Sequence, residues 1–266
     1  TPWQTAKSQV SFSVEPSIVR VVLPSPGAKS GILKVLTRSP RKVRIKVYGG
    51  DWKYSDVQNG IRAYLPPKST SLSCLDWITF SPAETVIAPY GVGQINYTIN
   101  VPAGAQGAGY AVLFIETSMF DESKVGAYNA EVAQNHITLN LRLAVLFCVE
   151  VKNTVKRAID LAKFTVAKSK MKNAVLIASD LKNVGNADIK VNGAFHIMGK
   201  DGKIYARGKF NDIYTLPGDS GKIYAGWKEI LPKGNYNLVI TLSLGKTTEE
   251  EASFRMPVVT RETEIE

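Results

Sequence analysis

The chain has 266 residues, 44% of them apolar and 9% aromatic, enough for a real core and too apolar for a disordered chain. Its net charge of +10 favours anionic surfaces, yet no run nears the roughly 18 apolar residues of a membrane-spanning helix. Two cysteines and two histidines exclude a disulfide framework and leave no zinc or other transition-metal site.

A chain that starts with Thr1 is expected to be a processed or trimmed product, from which any signal peptide is already gone, so its absence carries no information. Residues 1–150 carry 14 basic and 10 acidic groups, residues 151–246 carry 17 and 7, and residues 247–266 carry 2 and 6. The excess thus belongs to the second half, before an acidic tail. The lysines are scattered through strands and turns and are not interleaved with aromatics, so no nucleic acid is expected as partner.

Strand signals with turn punctuation recur about every ten residues. Ser11–Val14 and Ile18–Leu23 flank Pro16, and Gly31–Thr37 and Lys42–Tyr48 flank Ser39-Pro40. Trp77–Phe80, Val92–Val101 and Tyr110–Glu116 follow, divided by Pro82, Pro89, Pro102 and AGAQGAG. Seven or so short strands in about 150 residues predict an immunoglobulin-like β-sandwich. The pattern then restarts. Ile159, Leu161, Phe164 and Val166 suit a strand, though VKRAIDLAKFTVAKSK also suits a short helix. NAVLIASDLKNVGNADIKV reads as strand, turn, strand, and Lys200-Asp201-Gly202 supplies a hairpin turn. LPGDSGKIYAGW and LPKGNYNLVITLSLG add strands, with a last one at Ala252–Val258. SGILKVLTRSPRKVRIKV in the first half has the same plan as the stretch from Asn173 in the second. The expectation is an all-β chain of two tandem immunoglobulin-like β-sandwich domains, 1–151 and 152–266, the second with the acidic tail.

One stretch stands apart. In HITLNLRLAVLFCVEV (136–151) every odd position is apolar: Ile137, Leu139, Leu141, Leu143, Val145, Phe147, Val149 and Val151. Even positions begin polar (His136, Thr138, Asn140, Arg142) and then turn apolar (Ala144, Leu146, Cys148). Period two is a strand, here far longer than the usual 5–6 or so residues. Two readings stand. As an edge strand it offers unpaired amides and an aliphatic row to a partner. As a central strand it puts its odd side chains in the core and Ala144, Leu146 and Cys148 against the second domain.

No catalytic constellation is found, and a non-enzymatic protein without cofactors is expected. Gly218-Asp219-Ser220-Gly221 is similar to a serine-protease nucleophile loop, but His136 and His196 both fall in predicted strands, so a turn is expected. Lys222 followed by Ile223 breaks the phosphate-loop spacing. Asp51, Asp56, Asp121 and Glu122 sit in predicted loops without calcium-loop spacing. Cys74 and Cys148 are a candidate disulfide in an oxidising compartment, with buried thiols as the other reading.

The order of signals from Leu75 to Ser118 and on into the long strand resembles the PapD-like periplasmic pilus-assembly chaperones. The carrying residues are Phe80-Ser81-Pro82, Ala88-Pro89-Tyr90-Gly91, Val101-Pro102, Leu113-Phe114-Ile115-Glu116 and Leu146-Phe147-Cys148. That family anchors a client's terminal carboxylate with an arginine on the first strand and a lysine on the last. Here Arg20 falls close to the arginine position. Val145 takes the lysine position, Arg142 is the nearest cation, and Val149-Glu150-Val151 replaces the family's Arg-Pro. The phrase INYTINVPAGAQGAGYAVLFIE also resembles, more weakly, the WxL-interacting surface proteins, which associate with peptidoglycan and end in a membrane anchor; these 266 residues contain no anchor.

The resemblance implies a periplasmic or cell-envelope chaperone or assembly protein. Its partner would be a pilin-like or surface subunit, bound by strand pairing through Ile137, Leu139, Leu141 and Leu143, with Arg20 and Arg142 receiving a carboxylate. A homodimer through the edge strand is a further expectation. The alternative is a structural or adhesive surface protein whose basic second domain binds a cell-wall polymer or another surface protein.

Overall fold

The computed structural model describes residues 11–119, 140–169, 174–227, 234–245, 254–255 and 259–265. These residues are strands and turns, with one short 3-10 turn at Leu75–Trp77. The chain divides into two compact units: Thr1–Trp52 with Tyr64–Asn153, and Lys53–Ala63 with Thr154–Glu266.

Among the described residues the first unit is built on β1 (Phe12–Glu15), β2 (Ile18–Leu23), β3 (Gly27–Thr37), β4 (Val43–Asp56), β5 (Ile61–Leu65), β6 (Ile78–Ser81), β7 (Glu84–Ile87), β8 (Val92–Val101), β9 (Ala108–Met119) and β10 (Leu141–Val151), the end of β4 from Lys53 and the start of β5 to Ala63 belonging to the second unit. One sheet has the order β1-β3-β8-β6, the other β2-β10-β9-β4-β5 with β7 beside β4. The two layers close over the apolar side chains that alternate along each strand. Leu33, Val35, Ile95 and Ile99 come from one sheet, and Ile45, Leu113, Ile115, Val145, Phe147 and Val149 from the other. Tyr97 meets Phe147 edge-on with ring centres 5.2 Å apart.

β4 runs well past Tyr48, the end expected from the sequence, and Gly49 and Gly50 answer a close approach. A Cβ at Gly49 would strike the Leu75 side chain, and one at Gly50 would lie 2.9 Å from the Leu65 carbonyl and the Phe114 ring.

The second unit adds β11 (Ile159–Ser169), β12 (Ala174–Asn183), β13 (Ile189–Gly199), β14 (Ile204–Lys209), β15 (Ile213–Thr215), β16 (Ser220–Trp227), β17 (Gly234–Gly245), β18 (Phe254–Arg255) and β19 (Val259–Ile265). The order is β11-β12-β16 in one sheet and β14-β13-β17-β18 in the other, with β15 beside β13 and β19 beside β17. Ile177, Leu181, Phe195, Ile197, Leu238 and Ile240 are among its core residues.

β11 settles the ambiguity of its sequence in favour of a strand. A register shift between Ala162 and Thr165, with Lys163 at φ 51°, inserts an extra residue. The spacing of Leu161 and Phe164 therefore looks helical, although both pack on one core. The end of the acidic tail is likewise a strand: β19 pairs with β17 from Gly234↔Ile265 to Ile240↔Val259. In each unit the strand–turn–strand read as a shared plan, β3–β4 and β12–β13, steps from one sheet to the other.

Candidate partner-binding edge

β10 changes character along its length. From Val145 to Val151 every side chain is buried, whereas Leu141, Leu143 and Ala144 are half-buried and Arg142 is exposed. Leu143 packs on the margin of the core. The cause is the division of the first strand around Pro16. β1 pairs with β3 in one sheet, and β2 crosses to the other and pairs in parallel with β10 only from Leu146↔Ile18 onward. Upstream, β10 pairs with β9 from Leu141↔Thr117. Among the described residues, no strand lies on its other side between Leu141 and Val145.

The direction of the backbone groups follows. The Leu146 N–H donates to the Ser17 carbonyl at 3.0 Å, toward β2. Groups two residues apart point the same way, so the N–H groups of Ala144 and Arg142 face the open side. This is an edge that a further strand can join.

Beside it lies an aromatic groove of about 590 Å³, lined by Tyr48, Tyr64, Pro66, Phe80, Phe114 and Arg142 among others. The Arg142 guanidinium sits 4.7 Å from the Phe114 ring centre. Lys46, Glu116 and Arg142 form one cross-strand row, and the Tyr48 hydroxyl donates to Glu116 Oε2 at 3.2 Å. Arg142 is thereby held as an exposed cation at the rim of the edge.

Arg20 is placed differently. Its Nη1 donates to Glu150 Oε1 at 2.9 Å, and the two side chains are only 10% and 5% exposed. This ion pair ties β2 to β10 inside the sheet and already supplies Arg20 with a carboxylate. Glu150 was not singled out in the sequence; the signal was an acid inside an apolar run, which needs a partner when buried. Ile137 and Leu139, like His136, lie outside the described residues.

Ser220 is an exposed residue opening β16, opposite Lys182, while His196 lies on β13 in the other sheet, opposite Arg207 and Val239. The turn before Ser220 is held by Asp219, whose Oδ2 accepts the Leu216 N–H at 2.8 Å. Burial pushes the Asp219 carboxyl above its ordinary range, against the opposing pull of that N–H and of Lys53.

Asp51 is no solvated loop charge. It is fully buried, with Oδ1 accepting from the Ser73 hydroxyl at 2.6 Å and Oδ2 from the Thr70 N–H at 3.0 Å. Asp56 caps a turn through Gln58 and Asn59, and the Asn59 side chain, with those N–H groups, holds its carboxyl below the ordinary range. Asp121 and Glu122 lie outside the described residues. Among the described residues no three His, Cys, Asp or Glu side chains cluster as a metal site, and no helix is long and apolar enough to cross a membrane. Cys74 and Cys148 are both buried, and both are free cysteines here. Burial raises the Cys74 thiol far above its ordinary value.

No family model and no curated protein matches the sequence. The structure is similar to that of the class 5 fimbriae chaperone CfaA, with a TM-score of 0.51 and 12% identity over 95% of this chain and 98% of that one. A chaperone–tip adhesin complex described as vital for activation of CFA/I fimbriae biogenesis contains a chain that matches with the same score, identity and coverage. The chain thus has the two-sandwich fold of a PapD-like fimbrial chaperone.

Proposed function

We propose that this protein is a non-enzymatic, chaperone-like assembly factor of the cell envelope, exported to the periplasm or cell exterior. Its partner, a pilin-like or surface subunit, adds a strand along β10 at Leu141–Val145. The observation that carries this reading is the outward row of backbone groups at Arg142 and Ala144, beside which no described strand lies. A partner strand gains main-chain hydrogen bonds there, and its alternate side chains meet the aliphatic row of Leu141 and Leu143. Ile137 and Leu139 extend that row in the sequence. Arg142, exposed beside Phe114, takes the role of receiving a carboxylate, since Arg20 is engaged by Glu150.

The test is Ala144→Pro. A proline removes the outward N–H and is tolerated on an edge whose N–H faces solvent. The variant should melt near the wild type and lose the subunit that the wild-type protein retains from envelope extract. Retention of that subunit by a folded variant overturns the reading. A homodimer through the same edge is the other occupant, and it would appear as a wild-type dimer that Ala144→Pro dissociates.

A further inference from the structure

The second unit has an edge strand of its own, β16, and its edge is not open. Three of its backbone groups are taken by side chains and backbone from elsewhere in that unit. The Lys222 carbonyl accepts Gln58 Nε2 at 2.8 Å. The Tyr224 N–H donates to Asn211 Oδ1 at 2.7 Å, and the Tyr224 carbonyl accepts the Asn211 N–H at 3.1 Å. The two capping side chains are themselves joined, Asn211 Nδ2 donating to Gln58 Oε1 at 2.6 Å.

Gln58 stands on the tip of the β4–β5 hairpin, the segment Lys53–Ala63 that belongs to the second unit. The tip is shaped for this place. Asp56 folds the turn through the N–H groups of Gln58 and Asn59, and Gly60 has a φ of +65° that glycine adopts freely. Val57 packs on the core of the second unit, and its carbonyl accepts the Tyr214 N–H at 2.9 Å. Two glycines make the approach fit. A Cβ at Gly60 would come within 2.9 Å of the Tyr214 ring, and one at Gly221 would come within 2.9 Å of Val57.

We propose that the hairpin tip and Asn211 are a built-in cap on β16. The cap satisfies the groups by which this edge would pair with β16 of a second copy of the chain. An uncapped edge carrying Tyr224 exposed on its surface is a template for such pairing. The cap leaves strand addition to the edge of β10.

The experiment is hydrogen exchange at the Tyr224 amide, with sedimentation of the full chain. Asn211→Ala removes the acceptor of that amide, and exchange should quicken by about two- to tenfold, the range that one lost net hydrogen bond corresponds to. Asn211→Asp keeps Oδ1 and should keep Tyr224 protected, which separates capping from general loosening. The double variant Gln58→Ala, Asn211→Ala should form dimers whose share rises with concentration, under conditions where Gln58→Ala alone holds fewer. Unchanged Tyr224 exchange in Asn211→Ala, equal exchange in the Ala and Asp variants, or a double variant that sediments like the wild type would each overturn the proposal. Since Ala144→Pro leaves β16 untouched, a dimer of the double variant that persists with Ala144→Pro added is the β16 dimer.

Discussion

The edges of β10 and β16 pose one physical problem and receive opposite treatment. Each belongs to a strand whose far side is well paired, β10 with β9 and β16 with β12. On β16 the outward groups of Lys222 and Tyr224 are met by Gln58 and Asn211. On β10 the outward groups of Arg142 and Ala144 meet no strand among the described residues, although the next residue of the series, Leu146, is paired. A fold that closes one edge with a dedicated hairpin and stops short on the other treats them as different surfaces. Unpaired edges are a liability that proteins manage explicitly, and strand addition is the use proposed for the edge of β10.

The largest effect expected concerns the boundary between the closed and open parts of β10. Glu150→Ala removes the carboxylate that Arg20 meets in a nearly dry site, and breaking one side of a buried ion pair costs about 3–5 kcal/mol. The melt of the first unit should fall accordingly, and the amides of β2 should exchange faster. A loss below about 1 kcal/mol, the range of a surface pair, would show that this pair does not close the sheet.

A pair of prolines tests the open part. Leu143 N–H points toward β9 and Ala144 N–H points away, so the two prolines remove donors on opposite sides, with Leu143→Ala as the reference for the packing Leu143 gives the margin of the core. Leu143→Pro should cost about 3 kcal/mol or more, and Ala144→Pro far less. Equal losses would mean that both sides of the strand are paired, and the contrast between the two edges would then be gone.

Hydrogen exchange compares the two edges in the unmodified chain. Arg142 and Ala144 amides should exchange about two- to tenfold faster than Tyr224, one net hydrogen bond being worth roughly 0.5–1.5 kcal/mol. Similar protection at all three sites would require an unseen cover over β10.

Much of this fold is written in period-two patterning, because one buried face per strand forces alternation. β8 was readable at both ends, and Lys200-Asp201-Gly202 does turn the β13–β14 hairpin, with Gly202 at φ +76°. The hairpin tip was legible in principle, since Asn59-Gly60 is a strong two-residue turn signal. The strand expected over Lys42–Tyr48 stops short of it. What that tip touches could not be read, since Gln58 meets Lys222 and Asn211 across more than 150 residues of chain. The fate of Arg20 was hidden in the same way. A cation on a strand shows its charge but not the acid beside it, and Glu150 became its partner only through the parallel register of β2 and β10. Where β10 opens shows in its even positions, which turn from polar to apolar between Arg142 and Ala144, but not in its odd ones, since Leu141 and Val145 alternate alike. Pro16, by sending β1 and β2 to different sheets, decides it.

The smallest expected effect lies at the entry to β16, where Asp219 holds the turn. Its carboxyl is raised by burial, so the folded protein binds that proton more tightly than the unfolded chain does. The sign follows from linkage: this group adds stability as pH falls through the folded value toward the ordinary carboxylate value of about 3.9, and the gain is absent at neutral pH. Asp219→Asn keeps an oxygen for the Leu216 N–H and never ionises. Relative to the wild type it should therefore melt slightly higher at pH 7, and the advantage should shrink as the pH is lowered toward 3. Loss of the attraction to Lys53 limits the gain without reversing it. Asp219→Ala separates the charge from the hydrogen bond, because it leaves the Leu216 N–H without its acceptor and should melt lower at both pH values. An Asn variant that melts below the wild type at pH 7 and recovers at pH 3 would show that Lys53, not burial, governs this carboxylate. The tip segment that carries Lys53 would then hold β16 by charge as well as by hydrogen bonds.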